Sequence, residues 1–272
     1  MDGVCRYQPF VANLEAIGCR AHEPAAVYMG SRDGTVRCLD LEKDQFRLAF
    51  TAPEGLYDIG FHSFDFNCYG ALAAGFLVGK SDGQVVYVDP RVRGFGRESC
   101  GSYGATWDVH DTKVNSVQQH PTQEHVALSC GGNKDGSVVF WDVRVGMGGD
   151  GGKAKRGGGS CGGSRKDLIL SAFHAGDNGP PARKLHDKSI NAGYVSPDGS
   201  SLVTVSQDST VKVWQQPECN GIGCLVPLGS KETVKPTSGA SLRHDNHTGR
   251  WLSTFHPAFD PKVGAIKYNR PQ

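Results

Sequence analysis

The chain alternates short runs of apolar and polar positions, and one arrangement of them is written four times. The copies are VYMGSRDGTVRCLDLE at 27–42, GFLVGKSDGQVVYVDPR at 75–91, VALSCGGNKDGSVVFWDVR at 126–144 and SLVTVSQDSTVKVWQQ at 201–216. In each, residues that tolerate positive φ sit between valine- and aromatic-rich runs that alternate as half-buried strands do, so each copy is predicted to be a β-hairpin. A further strand is predicted ahead of each hairpin, in LEAIGCR, YDIGFHSF, VNSVQQHP and INAGYVSP. Helical periodicity is almost absent.

The repeat has a length. From Asp33 to Asp82 to Asp135 the step is about 50 residues, and the step to Asp208 is longer by about one insertion. Residues 145–166, VGMGGDGGKAKRGGGSCGGSRK, are that insertion, and a composition of Gly and basic residues is expected to stay disordered and loop out. Repeats of three or four strands at this spacing are the mark of propeller blades. The expected fold is therefore all-β, a β-propeller over residues 11–272 preceded by a short extension at 1–10.

Composition narrows the partners. Lys and Arg number 29 against 28 Asp and Glu, a net charge of +1, so any anion site must be local. The nine Cys include no Cys-x-x-Cys pair, and Cys219 and Cys224 have no flanking His at metal spacing. Reduced thiols and no metal are expected. No apolar run is long enough for a bilayer, and MDGVCRYQPF does not read as a signal peptide, so neither membrane nor secretion is expected. Ala74 to Ser81 ends like a phosphate-binding loop, but Ala74 replaces the first Gly and a strand follows where a helix is required. The pair His244 and His247 lacks a third ligand, and no nucleophile elbow is present. The expectation is a protein that is not an enzyme, with no cofactor and no small-molecule substrate.

His110, Ser129, Asp135 and Trp141, then His186, Thr204, Asp208 and Trp214, are spaced as the WD-repeat (WD40) family spaces its hydrogen-bonded blade set. The chain resembles that family, which implies a structural role for these residues. HDKSINAGYVSPDGSSLVTVSQDSTVKVW at 186–214, RHDNHTGRWLSTFHPAFDP at 243–261 and the FWDVR box resemble one branch of it. That branch contains WD-repeat protein 76 and the damage-specific DNA-binding protein subunit 2, and the likeness runs from about residue 11 to residue 261. It implies a WD40 propeller that is incomplete here, about four full blades and part of a fifth of an expected seven. A fragment, or a shortened protein closed by a partner, would account for that.

The resemblance also implies a nuclear protein that binds damaged or chromatin DNA. Lys113 aligns with a basic loop position of the damage-binding relative, and Lys188 occupies the equivalent loop one blade later; both would neutralise phosphates without reading sequence. His247, Arg250 and Trp251 fall where that relative carries a DNA-probing hairpin, with Arg250 toward phosphate and Trp251 as a wedge against a base face. Packing of Trp251 between blades, and plain solvation of the lysines, are the alternatives. Lys153, Lys155, Arg156, Arg165 and Lys166, opposed in the insertion only by Asp150, would add nonspecific affinity. Separately, Trp141, Asp142 and Arg144 match the WD-x-R box of substrate receptors that dock on the DDB adaptor of a cullin-RING ubiquitin ligase. Arg144 would offer its planar fork and Asp142 would steady it. Val88 to Arg91 is a weaker echo, with Val in place of Trp.

Overall fold

The computed structural model describes residues 14–20, 22–51, 61–93, 100–132, 136–145, 168–175, 184–215, 238–243, 258–259 and 266–267. Strands dominate them, with a short 3-10 turn at Gly70–Leu72. The first sheet joins β1 (Leu14–Arg20), β2 (Glu23–Ser31), β3 (Thr35–Asp40) and β4 (Gln45–Thr51) in sequence order, each antiparallel to the next. The second repeats it with β5 (Phe61–Asp65), β6 (Phe76–Lys80), β7 (Gln84–Arg93) and β8 (Cys100–Asp108). The third has β9 (Val114–Gln119), β10 (Val126–Gly131), β11 (Val138–Asp142) and β12 (Ile169–Ala175), with β13 (Lys184–His186) added parallel to β12. The fourth has β14 (Ile190–Val195), β15 (Ser201–Ser206), β16 (Thr210–Gln215) and β17 (Ser238–Arg243). A two-stranded ladder, β18 (Ala258–Phe259) and β19 (Ile266–Lys267), follows. These sheets are the blades of a β-propeller, numbered here I to IV.

Side-chain alternation explains why the blades stack. In blade II, Phe76, Val78, Val86 and Val88 pack on Tyr28, Val36 and Phe50 of blade I, while Leu77, Val85 and Tyr87 pack toward Trp141 and Val139 of blade III. Blade III divides the same way: Ala127, Val139 and Trp141 face blade II, and Val126, Leu128, Cys130, Val138 and Phe140 face Ile190, Leu202 and Trp214 of blade IV. Successive residues of a strand point to opposite faces, so an interior blade carries two apolar faces and needs a neighbour on each. Each fully buried large apolar side chain contributes about 1.5–3 kcal/mol. The contact between blades I and II is close enough that a β-carbon on Gly30 would overlap the Phe64 ring.

Polar groups join the innermost strands. The Asn115 amide donates to the Ile190 carbonyl (3.1 Å), the Gly193 amide to Ser116 Oγ (3.2 Å), and the Val195 amide to Gln118 Oε1 (2.8 Å). These residues therefore run side by side in one direction, and β9 and β14 start at the same end of the molecule. Ser63 Oγ donates to the Val114 carbonyl, joining blades II and III (3.1 Å).

The hairpin turns show one departure from the repeat. Gly34, Gly83 and Gly136 take positive φ at 82°, 88° and 52°, and in blade IV the same place is held by Ser209 at φ 63°. A side chain with a β-carbon in the left-handed region costs about 1–2 kcal/mol relative to glycine, offset in part by the chain entropy that glycine loses. Ser209→Gly is expected to stabilise the protein by about 0.5–1 kcal/mol, read as a raised urea midpoint with unchanged slope; a lowered midpoint would contradict it.

Candidate functional site

Within blade IV, Trp214 Nε1 donates to Thr204 Oγ1 (2.8 Å), Thr204 Oγ1 lies 2.7 Å from His186 Nε2, and His186 Nδ1 lies 2.9 Å from Asp208 Oδ2. A carboxylate only accepts, so Nδ1 carries the proton, Nε2 accepts from the threonine hydroxyl, and the chain of donors runs in one sense. His186 and Thr204 are buried. Burial pulls the His186 imidazole below its ordinary value, against the opposing pull of Asp208. Burial pushes the Asp208 carboxyl up, but hydrogen bonds from His186 and Thr210 outweigh it and leave it lowered. In blade III, Trp141 Nε1 donates to Ser129 Oγ (3.1 Å), which sits 2.8 Å from His110 Nε2. Asp135 lies outside the described residues. Among the described residues these side chains bond to one another across the strands of their own blade.

The lysines and the Asp-x-Arg box lie at the two ends of the sheets. The Gly132 amide, beyond β10, donates to the Lys113 carbonyl (2.8 Å), and Ser206 Oγ donates to the Lys188 carbonyl (2.8 Å). Lys113 and Lys188 thus share the end that carries the hairpin turns. The stem of Lys113 lies across Gly132, where a β-carbon would come within 2.8 Å of its Cγ; Lys188 is exposed. This end is mixed in sign, with exposed Asp111 and Asp187 beside the two lysines, and with Lys80 Nζ tied to Asp82 Oδ2 (2.8 Å). His247, Arg250 and Trp251 lie outside the described residues, as does 146–167, nearly the whole Gly-rich insertion.

The opposite end carries Arg144. Its Nη2 is 2.5 Å from Asp142 Oδ2, its Nε donates to Asp142 Oδ1 (3.0 Å), and its backbone amide donates to the same oxygen (2.9 Å). Burial pushes the Asp142 carboxyl up, yet its bonds from Arg144 leave it below the ordinary carboxylate value. The clamp uses the Nε–Nη2 edge of the guanidinium, and the Arg144 side chain is 68% exposed. Asp89 and Arg91 repeat it: amide to Oδ1 at 2.9 Å, Nε to Oδ1 at 3.0 Å and Nη2 to Oδ2 at 2.8 Å. The fainter echo in the sequence therefore has the same geometry, although Asp89 and Arg91 lie at a register shift inside β7 whereas Asp142 ends β11. The Trp of the box is buried in the blade interface, 4.8 Å from the ring of Trp107. Among the described residues no three His, Cys, Asp or Glu cluster as a metal site.

Such blades, with two His–hydroxyl–Trp sets, define a class, and the chain carries WD40 repeats. The family model for the WD domain, G-beta repeat, matches residues 101–142 and 181–215. The chain is similar to WD repeat-containing protein 76 of Xenopus laevis, 26% identical over 96% of this chain and 36% of that protein. The same-named protein of Mus musculus is 28% identical over 96% of this chain and 35% of its own length. DNA damage-binding protein CMR1 of Chaetomium globosum is 23% identical over 89% of this chain and 40% of its own. The chain thus spans little more than a third of the curated relatives it matches.

Acid should weaken the fold through its buried imidazoles. His120 is held down to about 4 by burial and by His125, and its Nε2 has no hydrogen-bond partner. Both His120 and His186 are lowered, so between the unfolded value near 6.5 and their folded values the unfolded chain binds more protons, and stability falls as pH falls. The slope is at most about 1.4 kcal/mol per pH unit for each histidine. Urea melts at pH 7 and pH 5 should show the loss, and His120→Gln should make it shallower. An unchanged pH dependence in that variant would remove His120 from the account.

Proposed function

We propose that the chain acts in the nucleus as a DNA-binding WD40 module of the DNA damage response, without catalytic activity of its own. The observation that carries this reading is the placement of Lys113 and Lys188 ahead of neighbouring inner strands at one end, where adjacent blades offer cations to one phosphate backbone. The name of the CMR1 relative, DNA damage-binding protein, supports it. With Asp111 and Asp187 close by, the attraction is local and modest, so intact duplex would be held weakly. Lesion-bearing DNA is already partly unstacked, and an aromatic wedge such as Trp251, returning about 1–3 kcal/mol by stacking, would shift the balance toward it. His247 and Arg250 would accompany that wedge against the backbone.

Fluorescence anisotropy on intact and lesion-bearing duplexes tests this. Lys113→Glu should weaken binding to every duplex alike, and neutralising the lysine should lower the salt slope by about one unit. Trp251→Ala should lower the preference for the lesion. Negligible, salt-insensitive binding to both duplexes would end the reading.

A second reading is favoured by the clamped Arg144: a scaffold or substrate receptor that docks on the DDB adaptor of a cullin-RING ligase, without intrinsic DNA affinity. A guanidinium held by its own carboxylate is preorganised, so less side-chain entropy is lost when its free edge meets a partner carbonyl or carboxylate. Arg144→Ala is expected to reduce adaptor capture roughly tenfold or more, since a charge-assisted hydrogen bond is worth about 1.5–3 kcal/mol. Undiminished capture by the variant would dismiss the box.

A further inference from the structure

A carboxylate-held cation recurs at the far part of the third strand in blades I, II and III: β3 and β11 end on the aspartate, while in blade II Asp89 and Arg91 sit at a register shift inside β7. In blade I the strand-ending residue is Asp40, whose Oδ1 accepts the backbone amides of Glu42 and Lys43, both at 3.1 Å, while its Oδ2 holds Lys43 Nζ at 2.9 Å. The spacing is one residue longer and the cation is lysine, so no Asp-x-Arg pattern marks it. The outcome is nevertheless the same as at Asp89–Arg91 and Asp142–Arg144: a carboxylate caps the turn with one oxygen and clamps a side-chain cation with the other. Exposure of the three cations is nearly identical, 71%, 70% and 68% for Lys43, Arg91 and Arg144. Blade IV breaks the series, since β16 ends in Gln215 where β3 and β11 end in Asp and β7 carries Asp89 at its register shift before running on to Arg93.

We propose that Lys43, Arg91 and Arg144 form one continuous docking arc across three successive blades, and that its partner is an acidic protein segment laid along that rim. The inference rests on the docking reading and adds blade I to it. Each cation already faces its own carboxylate, so the arc has little net charge and exerts little long-range pull on a polyanion. It offers oriented N–H donors, two remaining on Lys43 and the Nη1 edge on each arginine, which suit discrete carboxylates or helix-terminal carbonyls. A nucleic-acid backbone, whose binding draws on counterion release at unpaired cations, is the poorer fit.

The test uses the full chain and a fluorescein-labelled helical peptide with glutamates along one face, followed by anisotropy, with thermal melts showing that each variant is folded. Lys43→Ala, Arg91→Ala and Arg144→Ala should each weaken binding about 3- to 10-fold, and the triple variant should not bind. Asp40→Asn should also weaken it, because the clamp is lost. Tighter binding by Asp40→Asn would overturn the proposal, since a mere charge patch gains when a carboxylate is neutralised. Displacement of the peptide by duplex DNA would overturn it in favour of a nucleic-acid surface, and no binding by the parent chain would overturn the acidic partner. If Arg91→Ala and Arg144→Ala weaken binding while Lys43→Ala stays within twofold, the arc fails and the docking reading survives. Adaptor capture indifferent to Arg144→Ala removes the docking reading itself.

Discussion

Two apolar faces on every interior sheet are the constraint from which this structure follows. A strand such as Val138–Asp142 sends Val139 and Trp141 one way and Val138 and Phe140 the other, and water can be kept from both sets only by a sheet on each side. Stacking blades radially meets that need for blades II and III. Its consequence is that the broad faces of blades II and III are turned onto their neighbours, whereas blades I and IV keep exposed apolar side chains such as Ile17 and Leu242 on their strands.

The ends differ because the chain crosses them differently. At one end lie the hairpin turns and the loops leading into the inner strands, held together by backbone bonds such as Gly132 to Lys113 and Gln207 to Ser189. Charges there alternate in sign, and the lysines gain direction from what they lie on. At the other end β3 and β11 stop on an aspartate, β7 carries one at a register shift, and in each case the cation that follows is drawn back onto it. Rigidity comes from the clamp, so the exposed guanidinium or ammonium is oriented without being buried. The lysines of the loops and the clamped cations therefore occupy opposite ends of the sheets.

Hydrogen bonding inside the blades serves the same packing. An indole or imidazole buried without a partner costs a few kcal/mol. The order Trp214, Thr204, His186, Asp208 satisfies each group in turn, with the carboxylate at the edge where a lowered pKa keeps it charged. Blade II lacks the hydroxyl and the indole, with Val78 at the register position of Ser129 and Thr204 and with Val88 in place of the tryptophan. Its buried Lys80 joins Asp82 and Gln84 instead, so a different polar cluster closes the same turn.

The hairpins, their period and the all-β class were legible in the sequence, because alternation and Asp-Gly turns are local and repeat. Both His–hydroxyl–Trp sets could be read for the same reason, each being confined to one repeat. The outer strands Gln45–Thr51 and Cys100–Asp108 were not read there, since their patterns are weaker and their loops irregular. VNSVQQHP was legible as a strand and no more. Only the fold shows Asn115, Ser116 and Gln118 turned onto the neighbouring blade's backbone, because the partner atoms lie more than 70 residues away. Lys43 was silent for a related reason: an extra residue in its turn hides the likeness to Arg91 and Arg144, and equivalence appears when three corners are seen at one end of stacked sheets. What the sequence determined is the unit and its repetition; which side chains share an end, and which polar groups meet across blades, was decided by the stacking of those units.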